Sequence, residues 1–446
     1  MRVLMLGWEY PPHIAGGLGV ACEGLTKALA RVGLDITFVV PCLMGGESAP
    51  HMTLRDPSGV MSKSKRKQRI KKVKIPSALT PYVDDKSFDD LLAAFKYDPD
   101  KTSSLLRSSL FPRLNRAEFE KFLASISLTK RAEKLLGAGY GSNVFEQVAL
   151  YTEKVLELVA EEEFDVIHAH DWMTYPAGVA ISKFTGAPLV VHVHSLEYDR
   201  SGKTVNTRIH AIEALGIHTA SAVCAVSYYT RSIVHQQHHI PLNKVFAVHN
   251  GILSKKIKHY PKRMEKWPGK VVLFLGRVTY QKGPDCFVRA AAKVVPYVSD
   301  VLFVMAGTGD QLPRMKKLAN ELGISQNFYF PGFVKGKDLE EALSVADLYI
   351  MPSVSEPFGL SALEAVDFDT PALISKQSGA AEVLNHALKF DFWDVDRLAD
   401  LMINGLIHEE MRTDIIWGAK EELKKLRWDA AAAKVYKIYN LVAVKN

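Results

Sequence analysis

The sequence predicts an α/β protein made of two β-α-β arrays that face one another, and three observations predict it. The chain opens on MRVLMLG, an apolar run with little alternation, as a strand buried on both faces would read. A Pro- and Gly-containing loop, a helix of periodic apolar residues ending near Gly33, and the strand-like ITFVVP complete one β-α-β unit. From Lys270 the same order recurs in KVVLFLGRVTYQKGPDCFVRAAAKV. Short apolar runs then continue the alternation in both halves: FDVIHAH, PLVVHVH, ASAVCAVS and KVFAVHNGI in the first, DVLFVMAGTGD, NFYFPGFV and ADLYIMP in the second. Two such arrays leave a cleft between the C-terminal ends of their strands, where ligands of this architecture bind.

Composition narrows the class. At 446 residues the chain has room for two or three domains, and 48% hydrophobic with 24% charged content is that of an ordinary globular protein. No apolar run approaches the ~18 residues of a membrane span, so stable membrane insertion is not expected. The start of the chain reads as a strand and not as a signal peptide. Cys22, Cys42, Cys224 and Cys286 are scattered without a C-x-x-C pair, which suits reduced thiols and a cytoplasmic location. The net charge of +7 is largely local: Lys63 to Lys74 holds eight basic residues and no acid, and the remainder has 48 basic against 49 acidic residues. Nucleic-acid binding is therefore not indicated.

In chain order, the Gly16-Gly17-Leu18 segment precedes the first helix, where backbone amides could meet a diphosphate or simply make a turn. From about 47 to 140 the patterning loosens, and this part reads as an insertion in the first domain. Its basic run is either a solvated loop or a contact for an anionic polymer or membrane surface. A clear helix returns in YGSNVFEQVALYTEKVLELVAEE. His168, His170, His192 and His194 alternate on two strands, so each pair shares one face. No Cys or carboxylate set completes a zinc site, and no metal is expected. The polar stretch after Asn250-Gly251 reads as a linker. The domains are thus 1–252 and 253–427, with the last helix, 428–446, left to pack back on the first.

One stretch carries more chemistry than the others. In PSVSEPFGLSALE, Glu356 lies in a loop and Glu364 inside the helix that follows, with Phe358, Gly359 and Leu360 at the helix start. A helix N-terminus bears about half a positive charge and binds phosphate. Gly359 lets backbone come close to a ligand. Upstream, Arg277 and Lys282 sit five residues apart in a loop facing the same cleft.

These motifs resemble the E-x7-E signature (Glu356 to Glu364) and the G-R-x(4)-K-G loop (Gly276 to Gly283) of retaining glycosyltransferases with the GT-B fold, families 4 and 5. HAHDW and HVHSLEYDRSG resemble family 4 enzymes and glycogen synthases, and the C-terminal segment SKQSGAAEVLNHALKFDFWDVDRLADLM is similar to glycogen-synthase-like bacterial members. The resemblance implies two facing Rossmann-like domains with a C-terminal helix crossing back. It implies a nucleotide-sugar donor as co-substrate, no cofactor, and glucose transfer to an α-1,4-glucan. By this match Glu356 orients the sugar, Glu364 the ribose, and Arg277, Lys282 and the 358–360 amides hold the diphosphate. Gly16, Gly17, Leu18 and Asn250 complete the donor side and His170 approaches the donor sugar, while His194, Glu197 and Tyr198 line the acceptor side. Bacterial glycogen synthases carry Lys where this chain has Ile14, so a family 4 enzyme with another sugar or a lipid-linked acceptor is the alternative. A non-catalytic sugar-binding protein of the same fold should have lost Glu356, Arg277 or Lys282.

Overall fold

Two all-parallel sheets organise the protein, each covered by helices on both faces. The computed structural model describes residues 1–13, 17–57, 144–202, 204–252 and 269–443. Gly16, Ile14, the basic run 63–74 and most of the linker lie outside the described residues.

The first half runs β1 (Arg2–Leu6), α1 (Gly17–Arg31), β2 (Asp35–Val39), β3 (Thr53–Arg55), α2 (Val144–Val159), β4 (Val166–His170), α3 (Tyr175–Thr185), β5 (Leu189–Val193), α4 (Glu197–Ser201), α5 (Thr207–Thr219), β6 (Ala222–Ala225), α6 (Tyr228–His238) and β7 (Val245–Ala247). Its strand order is β3-β2-β1-β4-β5-β6-β7. Every residue of β4, β5 and β6 is buried, which is why these runs show no polar alternation. The edge strand β3 falls inside the segment that reads as an insertion. At three residues it is too short to leave a periodic signal.

The second half runs β8 (Lys270–Leu275), α7 (Pro284–Val294), β9 (Val301–Ala306), α8 (Leu312–Glu321), β10 (Phe328–Gly332), α9 (Lys337–Val345), β11 (Leu348–Met351), α10 (Leu360–Asp367), β12 (Ala372–Ser375), α11 (Ala380–Val383), β13 (Leu388–Phe390), α12 (Val395–Ile407), α13 (Glu409–Leu423) and α14 (Trp428–Ala443). The order here is β10-β9-β8-β11-β12-β13. Each sheet thus reverses direction once, between β1 and β4 and between β8 and β11. Crevices open at the C-terminal ends of strands at such points.

The last helix, α14, belongs to the first domain's core. Trp428, Ala432, Val435 and Tyr439 are buried with α1 residues Cys22, Leu25 and Leu29. Arg31 pairs with Asp429 at 2.5 Å, and Tyr439 OH lies 2.5 Å from His168 Nδ1. Among the described residues no helix is long and apolar enough to cross a membrane.

Candidate active site

In the second crevice, local backbone sets the chemistry. The chain leaves β8 through Arg277 and makes a tight 3-10 turn, Tyr280–Lys282, ending on Gly283 with φ +61°. A Cβ at Gly283 would lie 2.0 Å from the Pro352 carbonyl oxygen, so only glycine lets the turn rest on the exit of β11. Two further bonds tie the segments: Val354 N–H donates to Gln281 O (2.9 Å), and Gln281 Nε2 donates to Ser355 O (3.1 Å). The result is Lys282 Nζ at 2.5 Å from Glu356 Oε2, with Ser353 Oγ donating to the same oxygen at 3.1 Å. Glu356 is only 6% exposed. Its backbone is pinned by N–H to Gln377 O (2.9 Å) and by its carbonyl accepting from Gly379 N–H (3.0 Å).

The helix after the carboxylate starts where the sequence places it. Gly359 is the residue before α10, at φ +103°, and no hydrogen bond occupies the N–H groups of Phe358, Gly359 and Leu360 among the described residues. Glu364 lies half-buried inside α10. Arg277 stands on the cleft wall without a side-chain partner among the described residues. Loss of water and the nearby Arg200 hold its pKa below the usual value, while Glu356 and Glu9 pull the other way. A guanidinium in that position is set to receive an anion. Gly17 brings the first domain's helix start to the same place: a Cβ there would be 3.5 Å from Leu360 Cδ1. Leu18 is half-buried and packs into the first-domain core, and Asn250 is buried near the crossover.

The first crevice is built differently. His170 and His192 are register partners on β4 and β5, and the four histidines stack in one layer, with ring centroids 4.3 Å apart for His168–His170 and 4.4 Å for His192–His194. His170 Nδ1 and His194 Nε2 lie 3.0 Å apart. Burial pushes the pKa of His194 down to about 3 and those of His168, His170 and His192 well below the ordinary value, so the layer is neutral. One ring nitrogen each of His168, His170 and His192 falls within 4.8 Å of the others. The rings stack with interplanar angles of 5–29°, so their lone pairs run side by side and do not converge as a zinc site requires. Two further close groups occur among the described residues. Cys22 joins His170 and His194, against the sequence expectation that no Cys completes such a set; burial holds the Cys22 thiol well above its ordinary pKa, and His170 Nδ1 and His194 Nε2 face each other at 3.0 Å. In the other, His210, Glu213 and His238, the charge is met by Arg200, 3.3 Å from Glu213 Oε1.

Asp171, which the sequence motif does not single out, organises the end of this layer. It adopts φ +60° and accepts from His194 N–H (2.7 Å) and Ser195 N–H (3.2 Å). Burial raises its pKa to about 7. Tyr198 is half-buried beside the first-domain core. Glu197, read from sequence as an acceptor contact, lies buried at the start of α4. Its carboxylate accepts from Arg200 Nε (2.9 Å), Ser201 Oγ (2.6 Å) and Asn206 N–H (3.2 Å), which braces α4. A buried acid three residues before an Arg on a helix is the signal for that brace.

Comparison with known proteins agrees with this fold. Three family models match in succession: starch synthase catalytic domain over residues 2–94, glycosyltransferase family 4 over 139–254, and glycosyl transferases group 1 over 257–422. The chain is a GT-B glycosyltransferase. It is 27% identical to an uncharacterized glycosyltransferase of Methanocaldococcus jannaschii, covering 99% of this chain and 98% of that protein. A glycogen synthase of Mycobacterium tuberculosis is 23% identical over 86% of this chain and 80% of its own length. Among solved structures, sucrose-phosphate synthase from Thermosynechococcus elongatus superposes with a TM-score of 0.68 at 16% identity over all of both chains. Anabaena HepE in complex with UDP and glucose gives 0.65 at 16% identity over 99% of each. This glycosyltransferase is glycogen-synthase-like in type, with two Rossmann-like domains facing across the cleft.

Proposed function

We propose that this glycosyltransferase moves glucose from ADP- or UDP-glucose to the non-reducing end of an α-1,4-glucan with retention of configuration. The observation that carries the transfer chemistry is the Lys282–Glu356 pair at 2.5 Å beside Arg277, which has no side-chain partner among the described residues, and the open α10 N-terminus. The bond from the anomeric carbon to the diphosphate oxygen breaks, and the acceptor hydroxyl oxygen bonds that carbon on the same face. The hydroxyl proton passes to the departing phosphate oxygen. Arg277, Lys282 and the 358–360 amides meet the charge that grows on the diphosphate. Glu356 orients the sugar hydroxyls and Glu364 the ribose, while His170, wholly buried, acts on the donor sugar through the half-buried His194, whose Nε2 lies 3.0 Å from its Nδ1. These fixed charges do what magnesium does elsewhere, so activity should survive a chelator. Loss on chelation with recovery on adding magnesium or manganese would overturn that assignment.

The glucan acceptor rests on the likeness of residues 2–94 to the starch synthase domain and of most of the chain to a glycogen synthase. Ile14, at the position where glycogen synthases have Lys, favours the second reading, transfer to another sugar or a lipid-linked acceptor. Incubation of ADP-, UDP- and GDP-glucose with a labelled maltooligosaccharide decides between them. Stepwise lengthening is expected. Transfer to a different acceptor with no lengthening would leave the glycosyltransferase and remove the glucan.

A further inference from the structure

The loop that carries Glu356 is gripped on both flanks by the opposite domain. Before it, Ser355 Oγ donates to Asp199 Oδ1 at 2.5 Å and lies 2.9 Å from Tyr229 OH. With Asp199 ionised, the single Ser355 proton goes to the carboxylate, so Tyr229 donates to Ser355 Oγ. The other Asp199 oxygen accepts from Leu196 N–H at 2.8 Å, which fixes the carboxylate plane. After it, the Pro357 carbonyl accepts from Ser227 Oγ (2.7 Å) and Thr230 Oγ1 (3.1 Å). Asp199, Ser227, Thr230 and Ser355 are all buried, so these bonds act without competing water. The start of α6 is held to the second domain a second time, because Glu382 accepts from Tyr228 N–H (2.9 Å) and Tyr229 N–H (2.5 Å) and contacts His249 Nε2 at 2.9 Å.

Hinge opening of the two domains must break the bonds on both neighbours of Glu356 together. We infer that Asp199 and Tyr229 are positioning residues, a latch through Ser355 that makes domain closure and the setting of Glu356 a single event. This rests on Glu356 being the donor-orienting carboxylate. Donor binding to the second domain alone does not need the latch, whereas the aligned, closed state does. The latch therefore acts on turnover more than on donor affinity.

The test is a double-mutant cycle across the cleft. Asp199→Asn and Ser355→Ala should each lower turnover about tenfold with donor KM changed less than about threefold, and the double variant should be no worse than the weaker single. Ser355→Thr, which keeps the hydroxyl, should restore turnover. If Asp199→Asn does not fold, Tyr229→Phe takes its place in the cycle. Multiplying effects, or a loss confined to KM, overturns the latch. A second arm needs no acceptor: the radius of gyration by X-ray scattering with UDP present should be smaller for the unaltered protein than for Ser355→Ala. Equal values overturn the latch even where transfer is found, and a difference sustains it even where no sugar nucleotide is turned over.

Discussion

At the ends of β8 and β11 the chain gathers Arg277, Lys282 and a helix N-terminus around one carboxylate, whereas at the ends of β4 and β5 it stacks four imidazoles that burial keeps neutral. The two crevices share one topology and differ in charge. In the proposed reaction the fixed charge would meet the negative charge of the leaving group, the opposing imidazoles add none, and the first-domain charges acting on Arg277, those of Arg200 and Glu9, oppose one another in sign. The charged crevice is held by hydrogen bonds and the Lys282–Glu356 pair, the histidine layer by ring stacking and by hydrogen bonds to Tyr439 and Asp171. The predictions below are ordered by how hard each should strike one crevice and spare the other.

The largest effects belong to the charged crevice. Arg277→Ala and Lys282→Ala should each lower turnover by about a hundredfold or more, because they act on charge that develops in the transition state. They should separate in stability. Arg277 has no side-chain partner among the described residues to strand, so its loss should leave the melting temperature nearly unchanged. Removing Lys282 leaves Glu356 buried with Ser353 as its remaining side-chain donor, and an under-satisfied buried group costs about 1–3 kcal/mol. Thermal melts of both variants check this. Equal stability would show that the pair contributes nothing to the fold, and unchanged turnover in both would remove them from the site.

Next comes the backbone that aims Lys282. Gly283 and Gly33 both have positive φ, +61° and +84°, but a Cβ at Gly283 meets the Pro352 carbonyl whereas one at Gly33 meets nothing within 4 Å. Gly33→Ala should therefore cost about 1 kcal/mol of stability from φ strain alone and leave turnover intact. Gly283→Ala must push the 280–282 turn off β11 and should lower turnover by about tenfold or more, because a displacement near 1 Å in a positioned group is enough for such a loss. Steady-state kinetics on the pair decide it. Equal turnover in both variants would show that the turn does not aim Lys282.

This contrast also marks what the sequence could tell. Arg277, Lys282, Glu356 and the α10 start are close in sequence to the strands that carry them, so a local motif exposes them. The repeated strand-loop-helix order exposed both sheets for the same reason. Asp199, Tyr229 and Ser355 meet only because two domains close, with Asp199 and Ser355 lying 156 positions apart, and no spacing rule reaches that far. Glu197's bonds to Arg200, Ser201 and Asn206 leave no mark in sequence either, because a carboxylate beside a cleft reads the same whether or not it braces its neighbours. The β3 strand was hidden by its length.

The smallest effects belong to the neutral crevice and appear as pH dependence. His168, His170, His192 and His194 have folded pKa values far below the ~6.5 of an unfolded chain, so below that pH the unfolded state binds the extra protons. Their stabilising contribution is complete above about pH 6.5 and is lost as pH falls. Asp171 and Glu213 work in the opposite sense. Burial raises both to about 7, so they favour the folded state at low pH and lose that contribution as pH rises through 7. The two sets partly cancel between about pH 4 and 6.5, and below about 4 the unfolded acids protonate as well, leaving the histidine loss unopposed. His218 and His238, held down to about 4 by burial, add to the histidine loss over the same range, and Asp199, raised to about 6, adds to the acids. Stability should thus fall between pH 6.5 and 4 less steeply than the histidines alone would require, and a fall with their full slope would mean that the acids are not raised.

His192→Leu isolates one layer member. Both His192 ring nitrogens are buried without a hydrogen-bond partner among the described residues, and the side chain is 1% exposed. At neutral pH, replacing it with an apolar side chain of similar bulk removes two unsatisfied groups, and the change in stability should lie within about 1 kcal/mol, on the stabilising side if packing is kept. The informative quantity is the difference from the unaltered protein as pH is lowered. The variant has one fewer site for the unfolded state to protonate, so its relative stability should rise by up to about 1.4 kcal/mol for each pH unit below 6.5. Urea unfolding midpoints at pH 7.5, 6.5 and 5.5 measure it directly. A constant difference across that range would mean that His192 takes up its proton in the folded state as readily as in the unfolded one. The neutral layer would then be charged in the working enzyme, and the contrast between the two crevices would fail at its weaker side.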